Sequence, residues 1–143
     1  MANIVPFAFK GELASGTHNF SSGGNTFKLA LYTANPYTTS STVFSATNEV
    51  SSAGGSNYTA GGNTLTGQSV TATTATTAID FADTSWSSAT FTAAFGAIYD
   101  TSASDKLVVV LDFGGDKTAT NGTFTIAYPD PSTPSNAIIS ITS

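Results

Sequence analysis

The chain has 143 residues, 40 % hydrophobic but only 9 % charged, with four lysines, no arginine, no cysteine, one histidine and a formal net charge of −5. Disorder goes with low hydrophobicity and high charge, so this chain is expected to fold, and its length suits one compact domain over residues 1–143 without disulfides. The same inventory argues against nucleic-acid and anionic-membrane partners, which are bound through clustered Lys and Arg, and leaves too few ligands for a Cys/His zinc site.

Residues 1–10 have no basic stretch ahead of their short apolar run and meet Lys10 and Glu12 at once, so they are not read as a signal peptide. No run approaches the roughly 18 apolar residues that a membrane span needs. Residues 4–13 are expected as a weak strand. Residues 26–33 place Phe27, Leu29 and Leu31 on one face, with Lys28, Ala30 and Tyr32 on the other, which is the period of a half-buried strand. Residues 35–62 are Ser-, Thr- and Gly-rich, set with Pro36, Tyr37, Phe44 and Tyr58. That length exceeds the usual connection and is read as an excursion that touches a partner.

Weaker strands are expected at 63–73 and 77–81. The period of two returns in Phe91, Ala93, Phe95, Ala97 and Tyr99, again in Phe124, Ile126 and Tyr128, and finally in Ala137, Ile139 and Ile141. Residues 107–111 are apolar on both faces, the mark of a central strand, with Leu107, Val109 and Leu111 expected to face one layer. Gly61 and Gly62, residues 114–116, and Asn121 with Gly122 supply turn chemistry. About eight short strands and no helical stripe predict an all-β, single-domain β-sandwich, jelly-roll-like in arrangement.

Chemical motifs are sparse. Asp112-Phe113-Gly114 copies a kinase magnesium motif in letters alone, without its glycine-rich or catalytic loops. Asp112 and Asp116 lack the alternating acids of a calcium loop and read as a solvated turn. Asp80 and Asp83 flank Phe81 as a glycosidase pair would, but more simply end one strand and cap the next. His18 reads as a polar loop residue. No catalytic, cofactor or metal residue is assigned, and an enzyme is not expected.

Three sets of residues, taken in order and spacing, resemble a family of small tailed-bacteriophage virion proteins. The first is Thr47-Asn48-Glu49-Val50 with Asn57-Tyr58-Thr59-Ala60-Gly61-Gly62. The second runs from Phe81-Ala82-Asp83-Thr84-Ser85-Trp86 through Gly96-Ala97-Ile98-Tyr99, and the third from Leu111-Asp112-Phe113-Gly114-Gly115-Asp116-Lys117 through Asn121-Gly122-Thr123-Phe124-Thr125-Ile126. The chain departs from the family pattern at Ala94-Phe95, where the resemblance would lead one to expect a single Arg before Gly96. The resemblance implies a virion building block, most like a capsid decoration or cement protein made in the host cytoplasm. Its implied partner is the major capsid protein, on which it would sit as a dimer or trimer.

Two apolar regions look unsuited to water and are expected to make the contacts. The first is the N-terminal segment 1–13 with Ile4, Val5, Phe7 and Phe9, and the second is the excursion 35–62 with Tyr37, Phe44 and Tyr58. In that expectation the strands from Thr64 onward form the scaffold. Trp86 is expected to plug one end of the sandwich with its indole N–H on a carbonyl. The alternative is a tail or fibre-associated host-surface reader, in which Tyr32, Tyr37, Tyr58 and Trp86 would serve as stacking platforms.

Overall fold

Where apolar residues alternate, the backbone is extended. A computed structural model, describing residues 2–129 and 137–142, is all-β and sandwich-like. In chain order its elements are helix α1 (Phe7–Ala14), β1 (Phe27–Tyr32), β2 (Asn63–Thr64), β3 (Ser69–Ala72), β4 (Thr76–Asp80), β5 (Thr84–Asp100), β6 (Lys106–Ile126) and β7 (Ile139–Thr142). One antiparallel sheet has the order β2-β1-β5-β6, the other β3-β4-β7.

The main core packs Phe27, Leu29 and Leu31 of β1 with Ile79 of β4, Phe81, Trp86, Phe91 and Ile98. The opposite face of the first sheet carries a second cluster of Ala30, Tyr32, Ala97, Tyr99, Leu107 and Val110, covered by Tyr37, Phe44 and Ile4. Both faces of this sheet are therefore buried where β1, β5 and the start of β6 meet, which is why β1 shows almost no exposed residue.

The described residues form seven strands against the eight expected. The segment 4–13 is not a strand: Ile4 makes a single bridge to Val110, and Phe7–Ala14 is helical. Phe9 and Leu13 are four residues apart, so a helix brings both onto one face, where Phe9 is buried and Leu13 packs on the main core. Pro6 precedes the helix with φ −59°, and Gly16 ends it with φ +75°. The N–H groups of Gly16 and Thr17 close on Leu13 O and Glu12 O, the pattern of a Schellman stop. The segment 63–73 divides into β2 and β3, while the runs at 107–111 and 124–128 belong to one strand, β6, and its continuation.

β5 and β6 form a long ribbon with four register shifts. At one of them Ala94 alone stands opposite residues 113–116, which bulge outward with Gly114 at φ +74° and Gly115 at φ +129°. Asn121, at φ +48°, likewise sits in a bulge within β6 and reverses nothing. A further shift between Ile98 and Tyr99 puts Val108 and Val109 together on the main core and turns Leu107 to the other face. Leu107, Val109 and Leu111 therefore do not share one layer. β6 is also an outer strand and not a central one.

Candidate functional site

The start of β6 would be a bare sheet edge, yet two segments lie along it. Ile4 exchanges both backbone hydrogen bonds with Val110, at 2.9 and 2.8 Å. Further along, Leu107 N–H donates to Thr42 O at 3.0 Å and Phe44 N–H to Asp105 O at 2.8 Å, with Val43 bridged to Lys106. The Phe7 N–H, which the first turn of α1 leaves without a helical acceptor, donates to Thr39 O at 2.8 Å and ties the two segments together. This lap answers the open-edge problem with backbone pairing and outward side chains. Val5 is 42 % exposed, Phe7 66 % and Val43 49 %, so one margin of the fold carries three large apolar residues in water.

The structure separates the seven residues expected to make contacts. Phe9, Tyr37 and Tyr58 are buried in the protein's own core, and Ile4 and Phe44 are half-buried against the second cluster. That corrects the expectation for 35–62: its aromatics anchor the excursion to the scaffold. Tyr37 donates to and accepts from the Ser45 backbone and lies 2.7 Å from the Tyr32 hydroxyl. The chain then crosses the β1 edge, where Val50 N–H donates to Leu31 O at 2.9 Å, and Tyr58 enters the main core. Glu49 Oε1 accepts from the Tyr58 hydroxyl at 2.7 Å and from Gly61 N–H at 2.6 Å, joining the two motifs that lie either side of the crossing. The scaffold thus includes β1 and much of 35–62, not only the strands from Thr64 onward.

Tyr32, Tyr37, Tyr58 and Trp86 are all buried, so none of these four rings offers a stacking platform. The Trp86 indole N–H is enclosed with no acceptor among the described residues, contrary to the expected carbonyl partner. Asp80 is buried at the end of β4, whereas Asp83 is exposed and its Oδ1 accepts the Tyr128 N–H at 2.9 Å; the two carboxylates occupy different environments. Asp112 Oδ1 accepts from Gly114 N–H at 2.9 Å, a bond that holds its carboxyl below the usual range and shapes the bulge.

His18 is not a simple loop residue. Its ring is enclosed by Phe9, Phe20 and Phe27. Nδ1 lies 2.8 Å from Asp100 Oδ2 and Nε2 lies 3.1 Å from Glu12 Oε2. Lys106 Nζ donates to Glu12 Oε1 at 2.6 Å, and Asn25 donates to Asp100 Oδ2 at 2.7 Å. Burial alone would raise the Glu12 carboxyl, but the bonds from Lys106 and His18 outweigh it and hold it low. The chain of groups fastens α1, through Glu12, to the ends of β5 and β6. The sequence does not disclose this chain of groups, because His18 and Asp100 lie 82 residues apart and Glu12 and Lys106 lie 94 apart.

No group of three or more His, Cys, Asp or Glu among the described residues is placed to hold a metal ion, and no helix there is long and apolar enough to cross a membrane. No protein-family model, no curated protein and no solved structure matches this chain.

Proposed function

We propose that this protein is a bacteriophage virion component that decorates and stabilises the capsid shell by binding across major capsid protein subunits. The observation that carries the reading is the lap along β6, where Val5, Phe7 and Val43 stand exposed on segments fixed by backbone hydrogen bonds. Preorganised apolar anchors lose little freedom on docking, and a few such residues carry most of an interface's energy. The surface around them is rich in Ser and Thr, and cross-strand hydroxyl pairs such as Ser85 with Thr125 and Thr92 with Thr118 line the β5–β6 ribbon. Neutral hydroxyls can be buried against a shell with hydrogen bonds in place of charge desolvation.

The residues that carry the family resemblance act in the fold. Glu49, Tyr58, Gly61 and Gly62 pin the excursion, Trp86 fills the core, and Gly114 and Gly115 form the bulge. A scaffold fixed at those positions leaves the exposed margin to set the partner.

The test is binding of purified protein to undecorated shells, with copy number compared against the major capsid protein. Phe7→Ser combined with Val43→Ser alters exposed positions and should leave the melting temperature unchanged while occupancy falls at least about tenfold, the effect of losing one to two anchors. Full occupancy by the double variant would refute this surface. Removing residues 2–9 is a poor test, because it also deletes the buried Phe9.

A further inference from the structure

The ring of His18 stands between two carboxylates, Asp100 from β5 and Glu12 from α1, both within hydrogen-bond range. A neutral imidazole has one N–H and one lone pair. Between two ionised carboxylates it satisfies one contact and aims a lone pair at the other oxygen, so two such contacts require two protons. The aromatic rings packed on it, Phe9, Phe20 and Phe27, offer neither donor nor acceptor. One step away, Lys106 faces Glu12 from β6, and Asn25 and the Ser102 N–H face Asp100. The charge balance agrees: an ammonium and a protonated ring neutralise two carboxylates, whereas a neutral ring leaves one uncompensated negative charge beside fully buried side chains.

We propose that the Asp100–His18–Glu12 chain carries one proton beyond a neutral ring and two carboxylates, held on the ring, and that this proton latches α1 to the sheet until rising pH removes it. When it leaves, the remaining N–H stays on Nδ1 with Asp100, whose side chain is fully buried. Nε2 then turns a lone pair toward Glu12. Helix α1 keeps Phe9, Leu13 and the Lys106 tie but loses the ring. Because α1 carries Phe7 in its first turn, the latch sets the stance of the exposed lap. Its effect on docking rests on the function proposed above; the latch itself does not.

The chain has one histidine, so its ring signals are unambiguous. Ring nitrogen shifts and amide protection would be followed together by NMR as the pH is raised from acid to alkaline. The protonated ring, with two N–H groups, should prevail at the low end. As its signature changes, protection at Ser15, Gly16 and Thr17, which close the helix, should fall by roughly fivefold or more while β5 amides hold. Glu12→Gln accepts from an N–H or donates to a lone pair, so it should flatten the protection step while the ring still titrates. A ring with a single N–H throughout, protection that ignores the ring, or a full step in Glu12→Gln would each overturn the latch. Wild-type protein that fails to bind shells with both ring contacts formed would count against the shell function instead.

Discussion

Replacing Gly62 by alanine probes the closest approach in the fold. Gly62 ends the excursion at φ +76°, and a Cβ there would lie 1.8 Å from Leu29 O, 2.5 Å from Leu29 C and 2.7 Å from Ala30 Cα. Each of those atoms is backbone of β1, packed on both faces, so no side chain can swing aside. The positive φ costs about 1–2 kcal/mol in an L-residue, and overpacking of a close-packed site about 1–3 kcal/mol, giving about 2–5 kcal/mol together. Gly61 is the matched control, at φ +85° with only the Tyr99 hydroxyl at 3.2 Å and the Lys28 Nζ at 3.3 Å near its added Cβ. Both are side-chain ends and not backbone, at distances a shift of a few tenths of an ångström would relieve, so Gly61→Ala should cost mainly the backbone term, about 1–2 kcal/mol. Urea unfolding of the two variants beside the wild type measures the difference. Equal midpoints would show that β1 yields freely at Leu29, and the account of a rigid, doubly covered strand would fail.

Two further outcomes follow from the same packing. Leu107→Ala should cost about 2–5 kcal/mol in denaturant unfolding, and Leu111→Ala less because Leu111 is only half-buried; the reverse ranking would contradict the register shift at Val108. All five tyrosines are pushed up, chiefly by burial, with Tyr99 and Tyr128 raised to about 12. The fold thus favours the neutral phenol, a contribution fully present below the free phenol value of about 10 and lost as pH rises toward the folded values. Phenolate absorbance should appear in one cooperative step with unfolding, and gradual ionisation of several tyrosines in a folded protein would refute this.

The strands at 26–33 and 77–81 and the β5 run at 91–99 were legible because one face of each meets the core, and burial of alternate residues writes a period of two into sequence. The helix was not, because Phe7, Phe9 and Leu13 fit a period of two as well as Phe9 and Leu13 fit a helical face. What separates the two is Gly16, whose positive φ closes the helix. The excursion was misjudged for a physical reason: aromatic residues among Ser and Thr show that something buries them, and it is the chain's own sheet that buries Tyr37 and Tyr58. Val5 and Phe7, both singled out in the sequence, are exposed. Val43 was not singled out because Val43 and Phe44 in a Ser- and Thr-rich stretch do not show which of the two faces water; the bridge to Lys106 leaves Val43 exposed and Phe44 half-buried.

The lap along β6 also orders events in time. During synthesis residues 4–12 are made before the residues that hold them: Glu12 waits 94 residues for Lys106, and His18 waits 82 for Asp100. The ribbon of β5 and β6 closes around a short 3-10 turn at Thr101–Ala103 and can form early, whereas the lap requires the most distant pairing and belongs to the slow end of folding. Until then its apolar side chains and the bare β6 edge are both open to other chains. A protein made in many copies at once would meet a risk of wrong edge pairing in that interval, at the seam that carries Val5 and Phe7.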